Sequence, residues 1–443
     1  MTGTVGDRNF GPSGPLKGSI TPPADKSISH RAAILGAMAD GPTVISNYLE
    51  SEDTRSTLAA IRELGAGVEV AGTGSGAVTV FGVGSEGPVS PAKIDVGNSG
   101  TLLRLLPGWL AGCRGGRWEI DGDDSIRRRP VDRVALPLGR MGARIEATDD
   151  RFPPMVIEGV ELEGIEYELP VASAQVKSCL LFAGLGAVGA TTVLEPVPTR
   201  DHTERMFALA GLRLDREGSA MTVWPTPGFS LDSVVVPGDF SSAAFLIAAA
   251  VLVPGSEVRL EAVGTNPTRT GFLSILARMG ASVEVVPGEP LGEEPVATLV
   301  VRHSELNGTE VGGAEIPLAI DELPLVALVA GFAEGETVIR DAAELRAKES
   351  DRVETVTRAL LGLGVDAEPT PDGLVVRGGN RPIGGRVESD GDHRIAMLGA
   401  VAGLASRDGV DVEGFDAASV SYPRFEQDLD ALTGATAGPT GGS

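Results

Sequence analysis

Apolar positions along this chain fall into two alternating patterns. The first is a helix-length run that is apolar on every face and opens with a small polar or charged head. It appears first as Asp25-Lys-Ser-Ile-Ser-His-Arg-Ala-Ala-Ile-Leu-Gly-Ala-Met-Ala-Asp-Gly41. A Gly stops it before the β-like run Thr43-Val44-Ile45. The same pattern runs from Asn98 to Gly115, Gln175 to Gly189, Asp239 to Gly255, Asp321 to Gly335 and Asp392 to Gly409. Helices with so little polar surface are predicted to be buried all round.

The second pattern is an amphipathic helix that follows each apolar one and ends at Gly65, Gly142, Gly211, Gly280, Gly364 or Gly434, at intervals of 77, 69, 69, 84 and 70 residues. Gly just past the last helical turn is the expected stop. Several of these helices run straight into a strand, as in Met279-Gly-Ala-Ser-Val-Glu-Val285. Two interleaved series at this period predict six α/β repeats, split three and three near Pro237-Gly238. Each polar head then lies at a helix N-terminus, where free N–H groups and the helix dipole favour anions.

Composition narrows the reading. The 443 residues allow two or three domains, and a net charge of −24 argues against nucleic-acid or anionic-membrane partners. The longest apolar run, Ala243 to Val253, is too short to span a bilayer. Cys113 and Cys179 lack metal-like spacing, and two buried thiols fit a reducing cytoplasm. Met1 to about Pro15, and the chain from about Gly434, are rich in Gly, Pro, Ser and Thr and are expected to be loose.

The heads carry the chemistry. Lys26 and Ser27 lie in the first turn of the first apolar helix, with Arg31 one turn on, roughly on the same face. Two cations and a hydroxyl there read as a carboxylate or phosphate clamp. Asn98-Ser99-Gly100-Thr101 lets a ligand approach backbone amides, and Pro107-Gly108 is expected to kink the helix that follows. Arg127-Arg-Arg129-Pro130 places Pro at the first turn of the next helix. His202 reads as a hydrogen-bonding residue at a helix start. Gly72-Thr-Gly-Ser-Gly76 reads as a hairpin turn, since no helix follows it. Arg346-Ala-Lys-Glu-Ser-Asp-Arg352 offers a second Lys, a carboxylate and an Arg.

Taken together, Lys-Ser-Ile-Ser-His-Arg, Gly-Asn-Ser-Gly-Thr, Ser-Ala-Gln-Val-Lys-Ser, Arg-Asp-His-Thr-Glu-Arg, Asn-Pro-Thr-Arg-Thr-Gly, Ile-Asp-Glu-Leu-Pro, Lys-Glu-Ser-Asp-Arg and Asp-His-Arg resemble the EPSP synthase family, the 3-phosphoshikimate 1-carboxyvinyltransferases. The motifs run in the family's order from Lys26 to Pro423. The resemblance implies an α/β fold of two globular domains, each of three βαβαββ units around buried parallel helices, an inside-out α/β barrel. It implies domains at residues 25–238 and at 1–24 plus 239–443, with the active site in the cleft between them.

The implied reaction transfers the enolpyruvyl group of phosphoenolpyruvate to the 5-hydroxyl of shikimate 3-phosphate and releases phosphate, without metal or cofactor. The resemblance implies a cytoplasmic monomer whose partners are these two small molecules. It assigns Asp321 to the hydroxyl proton, Glu349 to the methylene carbon, and Lys26 to the bridging and leaving oxygens. Shikimate 3-phosphate would be held by Lys26, Ser27, Arg31, Ser173, Ala174, Thr199, Arg200, Asp321 and Lys348. Phosphoenolpyruvate would be held by Lys26, Gly100, Arg129, Gln175, Arg352 and Arg394. A Gly at position 100 implies sensitivity to glyphosate.

Three positions depart from the family pattern: Val420 where some members carry Lys, Glu344 where that branch has Asn, and Ala24 for a usual Gly. If position 24 needs φ > 0, Ala costs on the order of 1 kcal/mol there. Two alternatives are a UDP-N-acetylglucosamine 1-carboxyvinyltransferase, expected to carry a reactive loop Cys and Lys-Asn at positions 26 and 27, and a non-catalytic anion-binding protein on the same scaffold.

Overall fold

The apolar runs are helices, and their burial follows from their composition. In the computed structural model, which describes residues 6–72 and 76–434, they span Lys26–Met38, Gly100–Leu110, Ala174–Leu185, Phe240–Leu252, Leu323–Phe332 and His393–Ala405. Every residue of Phe240–Leu252 and of His393–Ala405 is buried. Fully burying one Leu, Ile or Phe contributes roughly 1.5–3 kcal/mol, so these helices are the centre of each core. Pro107 does not end its helix. Gly108 beside it serves packing, because an added Cβ would lie 2.1 Å from the Cys179 carbonyl oxygen on Ala174–Leu185.

The amphipathic helices end as their glycines predict. Gly65, Gly142, Gly211, Gly280, Gly364 and Gly434 all have positive φ. The glycines after the apolar helices do a different job from the expected one. Lys26–Met38 already ends at Ala39 in extended backbone, and Gly41 (φ +79°) makes the turn into the strand Pro42–Ser46. Ala24 is not among the residues with positive φ, so the Ala there carries no strain.

The chain divides into two compact units. One comprises Ala24–Pro237 with Pro290–Glu294, and the other Met1–Pro23, Gly238–Glu289 and Pro295–Ser443. The division falls one residue before the expected crossings, and the short segment 290–294 joins the first unit, which no sequence pattern announced.

The first unit holds three four-stranded sheets of one design. In the second repeat Ala92–Asp95 runs parallel to Arg117–Asp121, which is antiparallel to Phe152–Glu158, itself antiparallel to Arg144–Thr148. With helices Gly100–Leu110 and Asp132–Arg140 this is the βαβαββ order. In the first repeat the parallel edge is Ser233–Val235, from the far end of the unit, paired with Pro42–Ser46. Gly67–Val70 and Val78–Phe81 pair antiparallel, so the Gly-rich stretch joins a hairpin, although residues 73–75 lie outside the described residues.

In the second unit the N-terminal segment supplies two of the edges. Lys17–Ile20 pairs parallel with Glu257–Gly264. Arg8–Phe10 pairs antiparallel with Val410–Val412, on the side opposite Gly385–Glu388. Ser13 also donates its N–H to the Leu404 carbonyl at 3.0 Å. The expectation of a loose N-terminus therefore fails over these residues: low apolar content does not prevent pairing when a sheet edge offers unsatisfied N–H and C=O groups. Residues 1–5 and 435–443, the rest of the two predicted loose ends, lie outside the described residues.

Candidate functional site

Five of the six heads begin where a short polar side chain caps a buried helix, and Leu323–Phe332 starts at Glu322 without a side-chain cap. Asp25, Ser99, Ser173, Asp239 and Asp392 each accept a hydrogen bond from the N–H of a residue in the first turn of their own helix. The helix starts are thus partly satisfied from within.

In the first unit Lys26 is held by a partner far along the chain. Its Nζ lies 2.8 Å from Asp53 Oδ2, and His30 Nε2, one turn on, lies 3.3 Å from Asp53 Oδ1. His30 Nδ1 meets Thr57 Oγ1 at 2.6 Å. Burial raises the Asp53 pKa, but Lys26 and His30 outweigh it and hold the carboxyl far below the usual range. Arg31 is buried beneath the head. It donates to Thr203 Oγ1 at 2.9 Å, Ser178 Oγ at 3.0 Å and the Ser27 carbonyl at 3.1 Å, which makes it a brace for that head.

The second head gathers Gly100, Thr101, Arg104, Arg129 and Gln175. Arg104 Nη1 donates to Gln175 Oε1 at 2.9 Å, and Gln175 Nε2 donates to Thr101 Oγ1 at 3.2 Å. Gly100 leaves room for Arg129, whose Nη1 lies 2.4 Å from where an alanine Cβ would be. The helix after Arg129 begins at Asp132, so Pro130 lies in the turn before it and not in its first turn.

Ser173 caps Ala174–Leu185, accepting from Val176 N–H at 3.4 Å, which leaves its hydroxyl proton to donate elsewhere. Thr199 is bound to Glu195. Its backbone N–H donates to Glu195 Oε1 at 2.9 Å and its hydroxyl donates to the same oxygen. Both its donors point inward. His202, at the start of His202–Leu209, meets Glu294 Oε1 at 2.7 Å and so has a structural partner.

In the second unit Asp321, Glu349, Asp392 and three cations form one network. Lys348 Nζ lies 3.3 Å, and Arg352 Nη1 3.4 Å, from Asp321 Oδ1. Arg352 Nη2 lies 2.6 Å from Glu349 Oε2, and Arg352 Nε lies 2.8 Å from Asp392 Oδ2. Arg394 Nη1 donates to the Asp321 carbonyl at 2.9 Å and lies 3.6 Å from Glu322 Oε1. Arg352 is 1% exposed, and burial lowers its pKa, yet Asp392, Glu349 and Asp321 drive it the other way. It is a fixed cation behind the network. Asp392 is likewise buried, which raises its pKa, and Arg352 brings it down.

Sequence reasoning passed over Asp53, His30, Glu195 and Asp392 as partners of these groups. His30 carried one signal, its position one turn from Lys26 on the same helix. Asp392 opens the sixth apolar run, and Glu195 lies four residues before Thr199; Asp53 is distant in sequence and showed none. Among the described residues no group of three or more His, Cys, Asp and Glu is arranged to hold a metal ion. No helix among them is long and apolar enough to cross a membrane.

Among the described residues, five four-stranded repeats and a sixth with a three-stranded sheet, in two units whose buried helices start at polar heads, form the scaffold of the enolpyruvyl transferases. The enolpyruvyl transferase NikO from Streptomyces tendae superposes with a TM-score of 0.77 over 96% of each chain, at 19% identity, a likeness of fold alone. The chain belongs to the EPSP synthase family: the model of EPSP synthase (3-phosphoshikimate 1-carboxyvinyltransferase) matches residues 11–429. A 3-phosphoshikimate 1-carboxyvinyltransferase from Synechococcus sp. (strain RCC307) is 48% identical over 95% of this chain and 97% of its own. One from Methylococcus capsulatus is 48% identical over 94% of each. The EPSP synthase of Acinetobacter baumannii superposes with a TM-score of 0.83 at 42% identity, over 95% of this chain and 96% of that one.

Proposed function

We propose that this chain transfers the enolpyruvyl group of phosphoenolpyruvate to the 5-hydroxyl of shikimate 3-phosphate and releases phosphate. One observation carries the reading: a curated 3-phosphoshikimate 1-carboxyvinyltransferase is 48% identical to it over 95% of the chain, a span that includes every charged head. The family and the names of these relatives favour it over the sugar-nucleotide enzyme and a non-catalytic protein.

The chemistry explains the residues. Both substrates carry a phosphate and a carboxylate, so like charges must be brought together. Each well-placed cation offsets roughly 4 kcal/mol at contact for an effective dielectric near 20. Ser173 and Arg200 are assigned to the shikimate phosphate, with Thr199 supporting them, since its donors are taken by Glu195. Ser27, braced by Arg31, is assigned to the shikimate carboxylate. Arg129, Gln175 and Arg394 are assigned to phosphoenolpyruvate, with Arg352 behind Arg394 and the backbone at Gly100 against the phosphate.

Addition needs one proton delivered to the methylene carbon and one removed from the hydroxyl, and elimination takes the methylene proton back. Asp321 takes the hydroxyl proton, with Lys348 at 3.3 Å beside it. Glu349 serves the methylene carbon, steered by Arg352 at 2.6 Å. Lys26, steadied by Asp53, serves the bridging and leaving oxygens.

The reading includes a monomer and a cytoplasmic location, and two free thiols suit the latter; burial pushes the Cys113 thiol up to about 12, so it resists oxidation. Phosphate release from phosphoenolpyruvate, measured with each acceptor, tests the function. Release with shikimate 3-phosphate and none with UDP-N-acetylglucosamine is expected. Turnover with the sugar nucleotide alone would reverse the assignment. Sedimentation at working concentration tests the monomer.

A further inference from the structure

Behind the third head lies a charged cluster that the proposed reaction does not use. Lys177 sits on Ala174–Leu185, one turn beyond the Ser173 cap, and its side chain is 0% exposed. Its Nζ lies 2.9 Å from Glu195 Oε1 and 2.7 Å from Glu204 Oε1. The side chains of these two carboxylates are 3% and 9% exposed. Three ionisable groups buried together cost several kcal/mol of desolvation per ion unless each is paired. Apolar residues of the same size would fill this space more cheaply, so packing alone does not account for them.

The geometry shows what the cluster holds. The one oxygen of Glu195 that meets Lys177 also accepts both donors of Thr199, and Lys177 Nζ lies 3.5 Å from the Thr199 carbonyl. The turn from Glu195 to Thr199 is thereby bound to the helix that Ser173 caps, and Arg200 is the next residue. Glu204 has a separate place. It meets Lys177 but accepts neither Thr199 donor, and burial raises its pKa against the pull of Lys177.

We propose that Lys177 and Glu195 form a buried positioning pair that sets Arg200 opposite Ser173, and so fixes the subsite for the phosphate of shikimate 3-phosphate. The inference rests on the functional reading above. Neither residue touches substrate; they act through the turn they anchor. The pair should matter for one substrate and not the other, which a merely structural role would not produce.

The test compares Glu195→Gln, Glu204→Gln and the double variant Lys177→Met/Glu195→Gln. The double variant removes both charges of the pair together and leaves Glu204 as the remaining carboxyl of the cluster. Dissociation constants for shikimate 3-phosphate are read by calorimetry, with kcat and KM for phosphoenolpyruvate at saturating shikimate 3-phosphate, and Tm as the control for folding. A displacement of about 1 Å at a substrate-holding group can cost up to roughly 10²-fold. The double variant is therefore expected to bind shikimate 3-phosphate at least about tenfold more weakly. Its KM for phosphoenolpyruvate should be nearly unchanged. Glu195→Gln should shift the same constant, and Glu204→Gln should leave it alone.

Unaltered shikimate 3-phosphate affinity in the folded double variant overturns the proposal. So does an equal loss for both substrates, or a double variant that cannot fold, since either outcome makes the pair a general support. Absence of shikimate 3-phosphate binding by the unaltered protein would instead remove the functional reading itself, and this inference with it.

Discussion

Replacing Gly100 by Ala tests the phosphoenolpyruvate side of the site with a single methyl group. Gly100 opens the helix Gly100–Leu110 and has no positive φ, so Ala adopts its backbone without strain. The new Cβ would lie 2.4 Å from Arg129 Nη1 and 3.5 Å from Arg104 Nη1. Ordinary contact begins near 3.4 Å, so the Arg129 head group must retreat by about 1 Å (3.4 less 2.4). It is the far end of a flexible side chain, and the retreat costs the fold little. In a helix Ala is favoured over Gly by up to about 1 kcal/mol, so Tm should not fall.

Binding is where the methyl should register. A group misplaced by about 1 Å loses up to roughly 10²-fold, and partial recovery by a flexible Arg sets the expectation near tenfold in KM, about 1.4 kcal/mol. The assay is initial-rate phosphate release as phosphoenolpyruvate is varied at saturating shikimate 3-phosphate. Glyphosate should inhibit the unaltered protein and inhibit the variant less. An unchanged KM for phosphoenolpyruvate, with full activity, would show that Arg129 does not hold that substrate in the space beside Gly100.

Three further outcomes follow from the same geometry. Glu349→Gln should lower kcat by about 10²-fold with little change in KM, as for a lost proton transfer, because Arg352 keeps its 2.8 Å contact with Asp392; an unchanged kcat would take Glu349 out of the chemistry. Asp53 has its folded pKa depressed below the ordinary 3.8, so its stabilising contribution is present above that value and is lost as pH falls below it. Tm of the unaltered protein should therefore fall more steeply below about pH 4 than Tm of Asp53→Asn, and parallel acid profiles would show that Asp53 is not held by Lys26 and His30. Gly108→Ala forces a methyl against the Cys179 carbonyl oxygen, 2.1 Å from the ideal Cβ, and should destabilise by roughly 1–3 kcal/mol in urea unfolding; unchanged stability would mean that the two helices can part without cost.

Local pattern was enough for the repeats. An apolar helix such as Phe240–Leu252 has no polar face to turn to water, so its burial follows from composition alone, and glycines such as Gly280 can end helices with φ > 0 where other residues are strained. The heads were legible for the same reason: Lys26, Gln175 and Asp321 sit where each buried helix begins. Closure of the sheets was not. Arg8–Phe10 has little strand signal of its own, and the Val-rich Ser233–Val235 gives no sign of its partner; each finds its place at an edge formed by distant residues. The electrostatics were not legible either. Lys26 finds Asp53, Arg352 finds Asp392 and Lys177 finds Glu195 only once separate segments are packed together. Sequence determined which cations this protein carries and at which helix starts. Only the tertiary structure decided which of them are occupied by buried carboxylates, because an ion pair depends on distance in space and on exclusion of water, and neither is a property of neighbouring residues.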